Sequence, residues 1–82
     1  MALETLDTRG LLCPLPVIRT QDAIRDLTVG TLLEVTASDA GTMEDIPAWC
    51  RVHGHELVSA EELEEDEQRG RIYRFTIRVQ AE

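Results

Sequence analysis

The chain has 82 residues, sixteen acids against eight bases and a net charge of -8. That length allows one domain, and a surface so acidic repels a phosphate backbone over most of its area, which argues against direct nucleic-acid binding. No apolar run is long enough to span a membrane and no charged-then-apolar signal segment opens the chain, so the expectation is a single cytoplasmic domain over residues 1–82 without membrane contact.

In chain order, Leu3 to Asp7 is a strand candidate closed by the turn Asp7-Thr8-Arg9-Gly10. Leu11-Leu12-Cys13-Pro14-Leu15-Pro16 then opens a helix expected from Pro14 to about Thr28, because Val17, Thr20, Ile24 and Leu27 recur at helical spacing; Gly30 is placed to end it. Leu33, Val35 and Ala37 alternate with Leu32, Glu34 and Thr36, the pattern of a half-buried strand. A strand, a helix and a strand in this order favour a parallel, right-handed crossover. After the turn Asp39-Ala40-Gly41-Thr42 a second helix is expected over Met43 to His53, capped by Thr42 or Asp45. Pro47 fits best with Asp45 as the cap, and Gly54 is the stop. Glu56 to Ala60 is the third strand. Arg71 to Val79 is the fourth, with Tyr73, Phe75, Ile77 and Val79 on one face. Between them the acidic run Glu61 to Glu67 reads as a solvated loop. The fold class is therefore α/β, of the α+β two-layer type: β-α-β-α-β-β, one four-stranded mixed sheet with both helices on one face.

The chemistry points to Cys13. Pro14 and Pro16 are tolerable at a helix start, where they remove only amides that lack an intrahelical acceptor, and their fixed φ stiffens the turn. The amides of Leu15 and Val17 and the positive end of the dipole are left to face the sulfur. A thiol of ordinary pKa, about 8.5, is only a few per cent thiolate at neutral pH. Helix-end electrostatics supplies roughly 0.3 to 1 kcal/mol, less than one pKa unit at about 1.4 kcal/mol. A cation has to help, and Arg9 is the nearest in sequence. The competing reading is a buried cysteine that caps a helix. The second proline favours function.

Other candidates point to structure. Cys50 shares an apolar helical stripe with Ile46 and His53 and reads as a core thiol. His53 and His55 flank the helix stop, where an imidazolium suits the C-terminus, and Trp49 is expected to be partly buried. Cys13, Cys50, His53 and His55 include zinc-ligand types, but their spacing matches no compact metal pattern, so no metal or other cofactor is expected. Two cysteines without a dense framework are expected as reduced thiols. Pro16 stands where a Cys-x-x-Cys partner would be, which excludes thioredoxin-like internal exchange.

Together, Leu6-Asp7-Thr8-Arg9-Gly10-Leu11-Leu12-Cys13-Pro14-Leu15-Pro16, Gly30 before a strand, Asp39, Asp45-Ile46-Pro47 and Gly54-His55-Glu56-Leu57 resemble the TusA (SirA-like) family of small sulfur carriers over nearly the whole chain. The resemblance implies a two-layer α/β sandwich whose motif cysteine, here Cys13, holds sulfane sulfur as a persulfide, with Pro14 and Pro16 shaping its helix entrance. It implies a sulfurtransferase component, not a stand-alone catalyst. Its partners would be a donor protein, a cysteine desulfurase or a rhodanese-like protein, and an acceptor protein. The sulfur would pass toward tRNA thiolation, sulfur oxidation or molybdenum-cofactor synthesis.

A second reading, a non-catalytic regulatory or interaction module of the same fold, stays open. In either case Arg9, Arg19 and Arg25 belong to the turn and helix that present Cys13, so acidic partner rims are one expectation for docking; ordinary solvated arginines are the other.

Overall fold

Val35, Phe75 and Ile77 are completely buried, and their strand alternation decides which face of the sheet carries the core. The computed structural model describes residues 2–64 and 70–81. The elements are β1 (Leu3–Thr8), α1 (Leu15–Ile24), β2 (Leu32–Ala37), α2 (Thr42–His53), β3 (Glu56–Glu64) and β4 (Arg71–Arg78). The sheet order is β1-β2-β4-β3. β1 runs parallel to β2, as the β-α-β order requires, while β2–β4 and β3–β4 are antiparallel. Leu33, Val35 and Ala37 of β2 lie opposite Ile77, Phe75 and Tyr73 of β4. Ile24 of α1 and Ile46, Trp49 and Cys50 of α2 join the same cluster, so both helices cover one face. Burying side chains of this size contributes about 1.5–3 kcal/mol each. Among the described residues no helix is long and apolar enough to cross a membrane.

The opposite face carries charge. Arg74 lies across from Glu61 and Arg78 across from Glu56, with ion-pair distances of 3.1 Å in both cases. At the end of the same strand pair, on the face that carries Tyr73, Arg71 donates to Glu62. This overturns the loop expectation for Glu61 to Glu64: β3 runs to Glu64, with Arg74 and Arg71 of β4 pairing Glu61 and Glu62. Residues 65–67 of that run lie outside the described residues. A register shift between Leu57 and Ser59 leaves Val58 as the extra residue, so that Leu57 and Ala60 oppose Ile77 and Phe75 on one face.

Two helix boundaries also differ from expectation. α1 stops at Ile24 rather than near Thr28, and tight turns follow, with Asp26 N–H donating to the Ala23 carbonyl and Leu27 N–H to that of Ile24. Leu27 still packs against the core, which explains its helical spacing. Gly30, at φ +93°, donates to the Val79 carbonyl and so introduces β2 instead of ending α1. α2 begins at Thr42 with Gly41 at its N-cap, and neither Thr42 nor Asp45 caps it. The Thr42 hydroxyl donates to the Asp39 carbonyl while the Asp39 carboxylate accepts the Gly41 N–H, so a turn built by Asp39 starts the helix. Pro47 therefore lies inside α2. The carbonyl deprived of its N–H is that of Met43, an exposed residue.

At the other end Gly54 takes φ +79°, and its N–H and that of His55 both close on the Cys50 carbonyl. A Cβ there meets no neighbour, so only backbone conformation opposes it. Gly54→Ala is expected to lower stability by about 1–2 kcal/mol, measured as a lower denaturant midpoint with an unchanged m-value.

Candidate functional site

Because β1 and β2 are parallel neighbours, the connections that leave them emerge side by side at one end of the sheet. One carries Cys13; the other carries Asp39 and leads to Asp45 on the first turns of α2. Hydrogen bonds lace the two together. The Thr8 hydroxyl donates to the Thr36 carbonyl at 2.6 Å, the Gly10 N–H to the Ser38 hydroxyl at 2.8 Å, and the Cys13 N–H to Asp39 Oδ2 at 2.6 Å. The Cys13 thiol donates to Asp45 Oδ2. Asp39 thus holds two backbone amides, those of Cys13 and Gly41, and these keep its carboxyl below the usual carboxylate range.

Cys13 is exposed. Pro14 occupies the N-cap of α1, joined to Cys13 by a cis peptide bond, and Pro16 is buried in the first turn. The amides expected to face the sulfur are engaged elsewhere: Leu15 N–H donates to the Leu12 carbonyl at 2.9 Å and Val17 N–H to that of Pro14 at 3.1 Å. Arg9, expected as a cation beside the sulfur, forms a bidentate pair with Asp7 at 2.9 Å. That pair holds the Asp7 carboxyl down to about 2 and borders a cavity of about 440 Å³ with Gly10, Ser38 and Ile72. The charges that act on the thiol are carboxylates. Its hydrogen bond to Asp45, the loss of hydration and the negative charges of Asp45 and Asp39 push Cys13 up to about 11. The site therefore holds a protonated thiol at rest, the reverse of the electropositive setting read from the sequence.

Of the other candidates, Cys50 is 1% exposed and burial pushes its thiol up to about 11. Trp49 is buried, more deeply than expected, with its ring centroid 5.2 Å from that of His53 and 5.1 Å from that of His55. His55 Nδ1 accepts the Gln80 N–H at 3.0 Å, which fits a structural imidazole. Among the described residues no three His, Cys, Asp or Glu side chains gather as a metal site. Arg19 is exposed, and Arg25 lies 3.5 Å from Asp22. Leu12, Leu15 and Ile18, around the same helix entrance, are exposed as well.

A family model described as Sulfurtransferase TusA matches residues 4–79. The chain belongs to the TusA family. The sulfur carrier protein TusA of Pseudomonas syringae pv. syringae is 52% identical over 60 residues, covering 73% of this chain and 70% of that protein. The sulfur carrier protein TusA of Pseudomonas paraeruginosa is 49% identical over 57 residues, covering 70% and 72%. The crystal structure of a SirA-like protein from Desulfitobacterium hafniense superposes with a TM-score of 0.66 at 26% identity, covering 92% of this chain and 95% of that one. The TusA fold expected from the sequence and the TusA family assignment agree with these matches.

Accessibility separates the two thiols of this TusA-family protein, since both sit near the same pKa. A limiting alkylating reagent should label Cys13 first, at a rate that keeps rising with pH toward about 11. Peptide mass mapping checks the order, and prior labelling of Cys50 would reverse it.

Proposed function

We propose that this TusA-family protein carries sulfane sulfur as a persulfide on Cys13, taking it from a donor protein such as a cysteine desulfurase or a rhodanese-like protein and relaying it to an acceptor protein. The observation that carries this reading is an exposed, free thiol fixed by two connections at the end of the parallel strand pair, while the second thiol is buried. The family membership supports a sulfur-carrier role. In loading, Cys13 sulfur attacks the outer sulfur of the donor persulfide, a new S–S bond forms, and the donor's own sulfur leaves as a thiol or thiolate. Unloading is the same exchange with an acceptor thiolate as the attacker. Oxidation states balance, because one sulfane sulfur moves between two thiols and no redox cofactor takes part. Pro16 occupies the position of a resolving cysteine, so the sulfur leaves to another molecule. The protein is then one component of a transfer chain, with the acceptor deciding which product receives the sulfur.

Incubation with a cysteine desulfurase and cysteine should raise the protein mass by one sulfur atom, mapped to the Cys13 peptide and removed by a thiol reductant. Cys13→Ser should take up none. Unmodified wild-type protein beside a desulfurase that does load another carrier would overturn the proposal.

A further inference from the structure

Sulfur transfer through Cys13, on the reading proposed above, needs a proton to leave the sulfur on loading and to return on unloading. The surroundings of Sγ narrow the choice of carrier for it. The nearby helix amides donate to backbone carbonyls, Arg9 is paired with Asp7, and the Asp39 carboxylate is taken up by the N–H groups of Cys13 and Gly41. Among the described residues the side chain in hydrogen-bond contact with Sγ is Asp45, through Oδ2. Asp45 is also well placed to hold that position. It stands on α2 between Thr42, 1% exposed, and Ile46, fully buried, so the helix that carries it is anchored on both sides. We infer that Asp45 is the acid–base residue of sulfur transfer, general base toward Cys13 when sulfur arrives and general acid toward it when sulfur leaves.

The steps balance. In loading, the Sγ–H bond breaks and its proton passes to Asp45; the freed electron pair forms the bond to the outer sulfur of a protonated donor persulfide; the donor S–S bond breaks and its pair stays on the donor thiolate. Cys13 persulfide, Asp45 carboxylic acid and donor thiolate result, with the same net charge as the reactants. In unloading, an acceptor thiolate attacks the outer sulfur, the Cys13 S–S bond breaks, and Asp45 protonates the departing Sγ. The second step is where the arrangement matters most. A thiol pushed up to about 11 leaves poorly as an anion, and a proton delivered through Asp45 lets it leave as a neutral thiol.

The test uses Asp45→Asn with three readouts. Replacing the carboxylate by an amide removes the charge and weakens the hydrogen bond that raise the thiol pKa, so alkylation of Cys13 at neutral pH should become faster and its inflection should fall below about 11. Transfer should change in the opposite sense. Single-turnover loading from glutathione persulfide and unloading to a small thiol should both slow, unloading by on the order of 10²-fold, the lower range for general acid–base catalysis. Loading and unloading that accelerate in step with alkylation would show that Asp45 only restrains the thiolate, and would overturn the inference while leaving the sulfur carrier intact. A wild-type chain that takes up no sulfur removes the carrier reading itself, and this inference with it. Should Asp45→Asn not fold, as judged by its thermal unfolding, wild-type unloading in heavy water decides: a slower rate than in light water is expected, and equal rates would overturn the inference.

Discussion

The parallel pairing of β1 with β2 is the constraint on which the site depends. Cys13 is separated from Asp39 by 26 residues and from Asp45 by 32, and no local turn brings such positions together. Two parallel neighbours do, because each strand delivers its following connection to the same end of the sheet. The register ends at Thr8↔Ala37, so the two connections leave the sheet together, and Gly10 reaches Ser38 while the Cys13 amide reaches Asp39. α1 and α2 complete the frame by packing on one face of that pair and on each other through a common cluster. Tertiary topology, more than the proline-rich turn, brings Cys13 and its carboxylates together.

Its electrostatics follows from what the two connections supply. Carboxylates anchor amides well: Asp39 accepts two backbone N–H groups and so fixes both the cysteine and the start of α2. The same negative charge discourages ionisation of the thiol beside it. A protonated thiol is a weak nucleophile and a weak target for oxidants, so an exposed cysteine remains available for a partner that engages it in the right geometry.

The architecture was largely legible in the chain. Alternation in Leu33–Ala37 and Tyr73–Val79 set the two central strands and the buried face, and Gly54 marked the end of α2. What escaped was long-range. The spacing of Leu27 is helical although α1 has already ended, because a turn can deliver a side chain to the same core. Glu61 and Glu62 look like loop residues until Arg74 and Arg71 of the facing strand are placed across from them. At the site, Cys13 stood out through its prolines, and Asp39 and Asp45 were visible as turn and cap candidates. Their approach to the sulfur was not visible, since it depends on strand order. Arg9 is the cation nearest Cys13 in sequence, but Asp7, two residues away, competes for it with a bidentate carboxylate.

The position of β1 has a further mechanical consequence. It pairs with β2 along one side, and most of its residues, including Leu3 at 60% exposure, face solvent. β2, β4, β3 and α2 hold most of the buried cluster without it. β1 is thus held by one ladder and β2 by two. Cys13 follows the singly held strand, while Asp39 and Asp45 follow the doubly held one. A pull on β1 is borne by the same β1–β2 ladder that brings the sulfur to its carboxylates.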